Sequence, residues 1–290
     1  MPRCGCCGLS PVTATAAAST PLPSQSPRDP ADRYNVRSVQ RALRVLEIVS
    51  SEPVAGLSLT QIAQSLGASK STTLALARTL VASGMLRSID PGPRYKLGTA
   101  LIRYGDQAAQ QSPIGEVWLP ILREVSEVTG MTARMALAEQ GYPVCVERVD
   151  GPGTIRFHAP LGRREPPHAT AAGKAMLAML DSRRVAEICR ETGLVRHTAH
   201  TITDVDSMLA ELQRTRVDGY SIDDEEEADG VFCVGAAFVD HLGHCAGALS
   251  VTGLKAEVPQ RKVRDLGLTV SSHAGAVTAL LHGQTLTAVR

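Results

Sequence analysis

The 290-residue chain has no stretch approaching the roughly 18 uninterrupted apolar residues that a membrane-spanning helix needs, which excludes embedding by such helices. No apolar run of about 7–15 residues follows Arg3, so the start does not read as a secretory leader. Net charge is almost missing as well, with 30 Lys and Arg against 29 Asp and Glu, and aromatics make up only 3%. What is left, 43% hydrophobic and 20% charged, is the composition of a soluble globular protein long enough for two domains of about 100–200 residues. Seven cysteines do not make a disulfide framework. Cys4, Cys6 and Cys7 crowd together without a second Cys or His pair at zinc-site spacing, while Cys145, Cys189, Cys233 and Cys245 are scattered through apolar stretches. They read as reduced, mostly buried thiols, and the chain as cytoplasmic.

The near-zero charge hides a division. Residues 1–32 carry two basic and two acidic side chains, residues 33–105 carry ten against three, and residues 106–290 carry eighteen against twenty-four. A basic module is followed by an acidic one with a different task. Residues 1–33, rich in Ala, Pro, Ser and Thr and without apolar periodicity, read as a disordered tail.

From Val36 the spacing turns helical, with Val39, Leu43, Leu46 and Val49 as an apolar stripe ending before Pro53. Ser58 is placed to cap a second helix, with Gln61 at the capping-box position and Gly67 as its stop. Ser69 caps a third helix from Lys70 to about Ser83, with Leu74, Ala77, Leu80 and Val81 facing inward. Two alternating runs, 85–89 and 94–97, flank Asp90-Pro91-Gly92-Pro93 and predict a basic hairpin. Residues 34–98 thus predict a winged helix-turn-helix, whose second helix enters a major groove. Ser69, Lys70, Ser71, Thr72 and Thr73 stand at that helix's start, followed by Arg78. With Ser58, the wing cations Arg87, Arg94 and Lys96, and Arg37 and Arg41, they are the candidate contacts to double-stranded DNA. A Ser/Thr-rich helix start is also ordinary capping, and winged helices also dock proteins; the +7 charge of the segment favours DNA.

Residues 99–113 predict a connecting helix that stops at Ser112-Pro113, and residues 114–285 an α+β sheet domain. Its predicted elements are a helix ending at Gly130, strands at 132–138, 144–149 and 154–157, helices at about 170–180, 182–192 and 204–217, strands near 219–223, 231–240 and 245–252, and a last helix from about 259 to 282. His168, Lys174, Asp223, Glu225, Cys233 and His244 are residue types used in catalysis, but Cys233 lies in an apolar strand where packing is the default. His197 with His200, and His241 with His244, have metal-pair spacing and equally read as surface loop histidines. An enzyme or a zinc-dependent binding domain on a DNA or protein anchor is therefore the alternative. The preferred reading is a small-molecule site without cofactor or metal: small residues at Ala169, Ala171, Ala172 and Gly173 over a helix start, facing Val231, Cys233, Ser250 and Thr252.

Three motifs carry a resemblance. They are Ser58 to Thr72 continuing through Thr79–Leu86 to Arg94–Gly98; His168 to Ala175; and Gly219 to Glu226 followed by Gly230–Ala237 and Ala248–Gly253. In this order, over about residues 36–285, the chain resembles IclR-type bacterial transcription regulators. The resemblance implies a ligand-switched regulator, expected as a repressor, that binds a two-half-site operator as a homodimer or dimer of dimers. It also implies that the second module is a GAF-like α/β domain binding a small organic or aromatic acid. Carried over residue by residue, it places Ala171, Ala172, Asp223, Val231, Cys233, Ser250 and Thr252 around the effector, with Thr154, Phe157 and Glu165 on a flanking loop. The chain departs from the pattern at Ala75, where many relatives carry Arg on the recognition helix, and at Glu165, where relatives often carry an apolar residue. The acidic run Asp223–Glu227 sits oddly beside an anion site and reads as mostly a solvated loop.

Overall fold

The computed structural model describes residues 36–287 except 53, 90, 91, 112, 113, 154–156, 158 and 159; the predicted tail and Thr154 lie outside the described residues. These residues form two compact units, one ending at Gly105 and the other starting at Asp106.

The first unit runs α1 (Arg37–Ser50), β1 (Leu57–Ser58), α2 (Leu59–Leu66), α3 (Lys70–Ala82), β2 (Leu86–Ile89) and β3 (Arg94–Leu97). Ser58 and Gln61 complete a capping box at the start of α2, and Gly67 ends it in the left-handed conformation, φ 64°, that glycine adopts without a Cβ penalty. Val45, Val49, Ile62, Ala77, Leu80, Leu86 and Tyr95 close the core. The apolar stripe of α1 is longer than this core covers: Val45 and Val49 are buried, whereas Val39 and Leu43, members of the stripe, are more than half exposed. The two-residue β1, absent from the sequence reading, pairs with β3 and makes the wing three-stranded in the order β1-β3-β2.

After α4 (Ala100–Gln111), the second unit contains α5 (Ile114–Thr129), β4 (Thr132–Glu139), β5 (Tyr142–Val149), α6 (Ala171–Ala178), α7 (Ser182–Thr192), α8 (Val205–Asp218), β6 (Ser221–Asp224), β7 (Val231–Val239), β8 (Cys245–Leu254) and α9 (Gln260–Thr287). The strands form one antiparallel sheet in the order β5-β4-β8-β7-β6. Gln140 and Gly141, both with positive φ, make the two-residue turn between β4 and β5. The predicted strand at 154–157 is not seen: Phe157 is not in a strand, and its other members lie outside the described residues.

Alternation along the strands divides the sheet into two faces, both covered. Met135, Phe232, Val234, Phe238, Leu249 and Val251 point to one face and join Trp118, Leu122 and Val125 of α5 with Val263, Val270 and Val277 of α9 in the main core. Trp118 stacks obliquely on Phe238 at a ring separation of 5.5 Å. Residues of the opposite parity are polar or small, and α6 lies over them, with its own support from α7 and α8 through Leu177, Val185, Ile188, Met208 and Leu212.

Candidate DNA-binding surface and ligand cavity

At the start of α3, the Ser69 hydroxyl accepts from the Thr72 N–H at 3.2 Å and lies within 3.0 Å of the Ser71 and Thr72 hydroxyls. Lys70, Ser71 and Arg78 are exposed and share one face of the helix, with Ala75 between them adding no bulk. Arg37, Arg41 and Arg87 are exposed as well. Thr73 is different: it is fully buried, and its hydroxyl donates to the Ser69 carbonyl at 3.0 Å, so its polar group is turned into the helix. Two of the three wing cations are also committed. Arg94 donates through Nε to the Ala55 carbonyl at 2.9 Å and through Nη2 to the Gly56 carbonyl at 2.7 Å, and Lys96 donates to the Val54 carbonyl. They clamp the turn before β1 onto the wing, because three carbonyls there lack strand partners. Ser58 is engaged in the α2 cap.

In the second unit, strand register sets two rows of side chains beneath α6. Thr132, Thr252, Cys233 and Asp223 are neighbours across four strands, and Arg134, Ser250, Gly235 and Ser221 form the next row. Gly235 is where the helix start touches the sheet: a Cβ there would lie 2.7 Å from the Ala171 carbonyl carbon. The Ser221 hydroxyl, 2.5 Å from the Ala171 carbonyl oxygen, ties the same point. Thr170 caps α6 by accepting from the Gly173 N–H at 3.2 Å.

Between α6 and these rows is a cavity of about 10 Å³, room for roughly one water. Arg134, Glu165, Asp223 and Glu227 line it, with Ala171, Ala172, Thr170, Cys233, Ser250 and Thr252. The Arg134 guanidinium, nine-tenths buried, is ion-paired to Glu165. Burial works to lower its affinity for a proton, but the Glu165 carboxylate outweighs this and holds it firmly charged. Among the described residues its Nε has no hydrogen-bond partner, although the Cys145 thiol lies close to the guanidinium and helps hold it charged. Asp223, fully buried, accepts the Glu226 and Glu227 N–H groups on Oδ1 at 2.8 and 3.3 Å, and its Oδ2 has no partner. Burial pushes Asp223 up to about 7, against the opposing pull of those N–H groups and of Lys174. Burial likewise raises Glu227, helped by the nearby Glu165 charge.

The Lys174 ammonium, whose charge acts on Asp223, is completely buried, ion-paired with Glu226 and 3.7 Å from Glu211. Burial raises Glu226 despite that pairing.

Of the sequence candidates for the effector, Ala171, Ala172, Asp223, Cys233, Ser250 and Thr252 converge on the cavity together with Glu165. Phe157 instead lines a larger neighbouring cavity of about 260 Å³ with Met131, Leu254 and Leu266, which shares Thr252 with the first, and Val231, half-buried on β7, lines neither. The acidic run is not a solvated loop. None of Asp223–Glu227 is fully exposed, because Asp223 caps the turn, Glu226 pairs with Lys174, and Glu225 adopts φ 62° with its carboxylate accepting the Gly230 N–H at 2.8 Å. Arg134 and Glu227 were missed. The available signal was an Arg two residues after Thr132 in a strand whose other face is apolar, on a sheet with no solvent face. Cys233 is buried, 3.3 Å from the Thr252 hydroxyl, and burial raises its thiol well above the ordinary range, so it offers no thiolate nucleophile. Among the described residues no three His, Cys, Asp or Glu side chains converge to hold a metal ion.

Two family models match the chain. One, the IclR helix-turn-helix domain, covers residues 38–90, and the other, the bacterial transcriptional regulator IclR C-terminal domain, covers residues 106–279. The transcriptional repressor IclR of Escherichia coli is 30% identical over 270 residues, 91% of this chain and 98% of that protein. The HTH-type transcriptional regulator BhcR of Paracoccus denitrificans is 32% identical over 243 residues, 84% of this chain and 85% of that one. The crystal structure of an IclR transcriptional regulator from Alicyclobacillus acidocaldarius superposes with a TM-score of 0.77 at 28% identity, covering 86% of this chain and all of that one.

Proposed function

This chain belongs to the IclR family of bacterial transcriptional regulators, and from that premise we propose that it is a cytoplasmic repressor released from its operator by a small acid bound beneath α6. Its DNA-binding module is the first unit, and its relatives are transcriptional regulators, not enzymes. In the proposed complex a homodimer or dimer of dimers sets α3 of two subunits into two half-sites. Lys70, Ser71, Thr72 and Arg78 approach the bases and adjacent phosphates, and Arg37, Arg41 and Arg87 neutralise phosphates. Ser58, Ser69, Thr73, Arg94 and Lys96 hold the module in shape, and what they add to DNA affinity comes through that shape or through their charge.

One observation carries the effector reading: the α6 side of the sheet is buried yet polar, with a buried donor and a buried acceptor that find no hydrogen-bond partner among the described residues. A fold assembled for stability alone fills such a face with apolar side chains. Ligand binding shifts the protein between forms that fit the two half-sites and forms that do not, a coupling typically worth about 1–3 kcal/mol or ~5–150-fold in operator affinity. The test is a titration of the full chain against DNA from its own upstream region at several salt concentrations, with and without pooled small acids. Specific binding with a steep salt slope, weakened by one pool, is the expected result. A confirmed ligand that leaves operator affinity unchanged would overturn the switch.

A further inference from the structure

We propose that the cavity beneath α6 takes a small zwitterion, a molecule carrying both a carboxylate and an ammonium group, in preference to a plain organic acid. This assignment rests on the reading of that cavity as the effector site. The lining holds one cation, Arg134, against three carboxylates, Glu165, Asp223 and Glu227. A plain carboxylate entering there finds the one cation already paired with Glu165 and two further carboxyl groups, Asp223 and Glu227, whose charged forms burial already disfavours, so it brings uncompensated negative charge into a buried site, which is costly. An ammonium group removes that excess.

The unsatisfied atoms specify the same pair of groups. Among the described residues Arg134 Nε is a buried donor with no acceptor, and Asp223 Oδ2 is a buried oxygen with no donor. Both side chains are at least nine-tenths buried, both line the cavity, and Arg134 and Asp223 stand in adjacent rows of the same sheet face. The ligand's carboxylate goes to Arg134 and to the first turn of α6, where Thr170 takes the Gly173 N–H and no acceptor is seen among the described residues for the N–H groups of Ala171 and Ala172. Its ammonium goes to Asp223 and Glu227, and the Ser250 hydroxyl lies between. The free space of about 10 Å³ holds about one water, so a ligand enters only as the lining side chains move apart.

The experiment is calorimetric titration of the full chain with matched series: glycine, glycolate and methylamine, then alanine, lactate and pyruvate. The amino acid of each series is expected to bind at least about tenfold more tightly than its deaminated or decarboxylated partners, the effect of one charge-assisted hydrogen bond. Glu227→Gln, a half-buried carboxylate with no ion pair shown, is expected to narrow that ratio by weakening the amino acid and strengthening the plain acid. Arg134→Met is expected to abolish binding of both. Plain acids that bind as tightly as amino acids, with binding lost in Arg134→Met, overturn the zwitterion and leave the effector site standing. Binding indifferent to both variants places the ligand elsewhere and overturns both readings. If no member of either series binds, the zwitterion assignment is overturned.

Discussion

Replacing Lys174 by Met removes the ammonium that pairs with Glu226 inside a buried acidic cluster, and keeps the side chain's volume. In the wild type the ammonium pairs with Glu226, lies 3.7 Å from Glu211, and pulls Asp223 toward the charged form. Without it, Glu226 and Asp223 are left buried and uncompensated, and removing one partner of a buried pair costs about 3–5 kcal/mol. That is a large part of the roughly 5–15 kcal/mol by which a domain is stable. The loss depends on pH in a definite direction. Burial holds both carboxyl groups above their ordinary values, so the folded state keeps protons that the unfolded chain has released, and stability falls as pH rises through this window. For Asp223, fully buried and held near 7 rather than 3.8, the penalty above that pH is on the order of 4 kcal/mol. Lys174→Met extends the window upward, so the variant loses most at about pH 8 and much less at about pH 5.5. Urea unfolding of the full chain, followed by the fluorescence of its single tryptophan, Trp118 in the core of the second unit, reads this directly. Adding Glu226→Leu is expected to restore most of the loss, because two apolar groups replace an ion pair at little cost. A loss under about 1 kcal/mol at pH 8, or equal losses at both pH values, would refute the reasoning.

Lys70→Ala is expected to weaken operator binding and to reduce the salt slope by about one, with thermal stability unchanged, in an anisotropy titration across salt concentrations. Arg94→Ala is expected to weaken binding together with a lower melting temperature of the first unit, since it frees the Ala55 and Gly56 carbonyls; weakened binding at unchanged stability would make Arg94 a direct phosphate contact. Gly235→Val, whose Cβ would press on the α6 backbone at 2.7 Å, is expected to cost about 1–3 kcal/mol and to abolish the ligand response while operator binding persists. Cys233 is expected to stay unmodified by a thiol-specific reagent in the native state and to react once urea unfolds the chain; fast native labelling would show that the cavity opens freely.

Local signals in the sequence located nearly every element. Ser58-x-x-Gln61 and Gly67 bound α2, Ser69 starts α3, and period-two alternation marks the sheet strands, because capping and side-chain period are properties of a few adjacent residues. What the sequence concealed depends on residues distant along the chain. The exposure of Val39 and Leu43 follows from how much of α1 the small first unit can cover, which helical spacing does not encode. Arg94 looks like any surface cation until the turn at 54–56 is folded beside it. Arg134 and Glu165, 31 residues apart, become a site only when the loop after β5 brings the carboxylate back over β4. Acidic residues in a run resemble solvated surface, and only the burial of Lys174 explains why Glu226 is turned inward.

The two-faced sheet separates what the strands must conserve from what they can vary. Along β8 the letters alternate, Leu249 and Val251 serving the core beneath α5 and α9, and Ser250 and Thr252 serving the cavity. Substitution at every second position therefore edits the chemistry of the chamber while leaving the scaffold's hydrophobic ledger almost untouched. Such a strand can drift toward new ligands by single steps, none of which has to pass through an unfolded intermediate sequence. Thr132 on β4, next to Ala133, has the same freedom, whereas Arg134, paired with Glu165, changes at low cost only together with its partner, so altering the cavity requires side-chain replacements on a fixed backbone and no new loops.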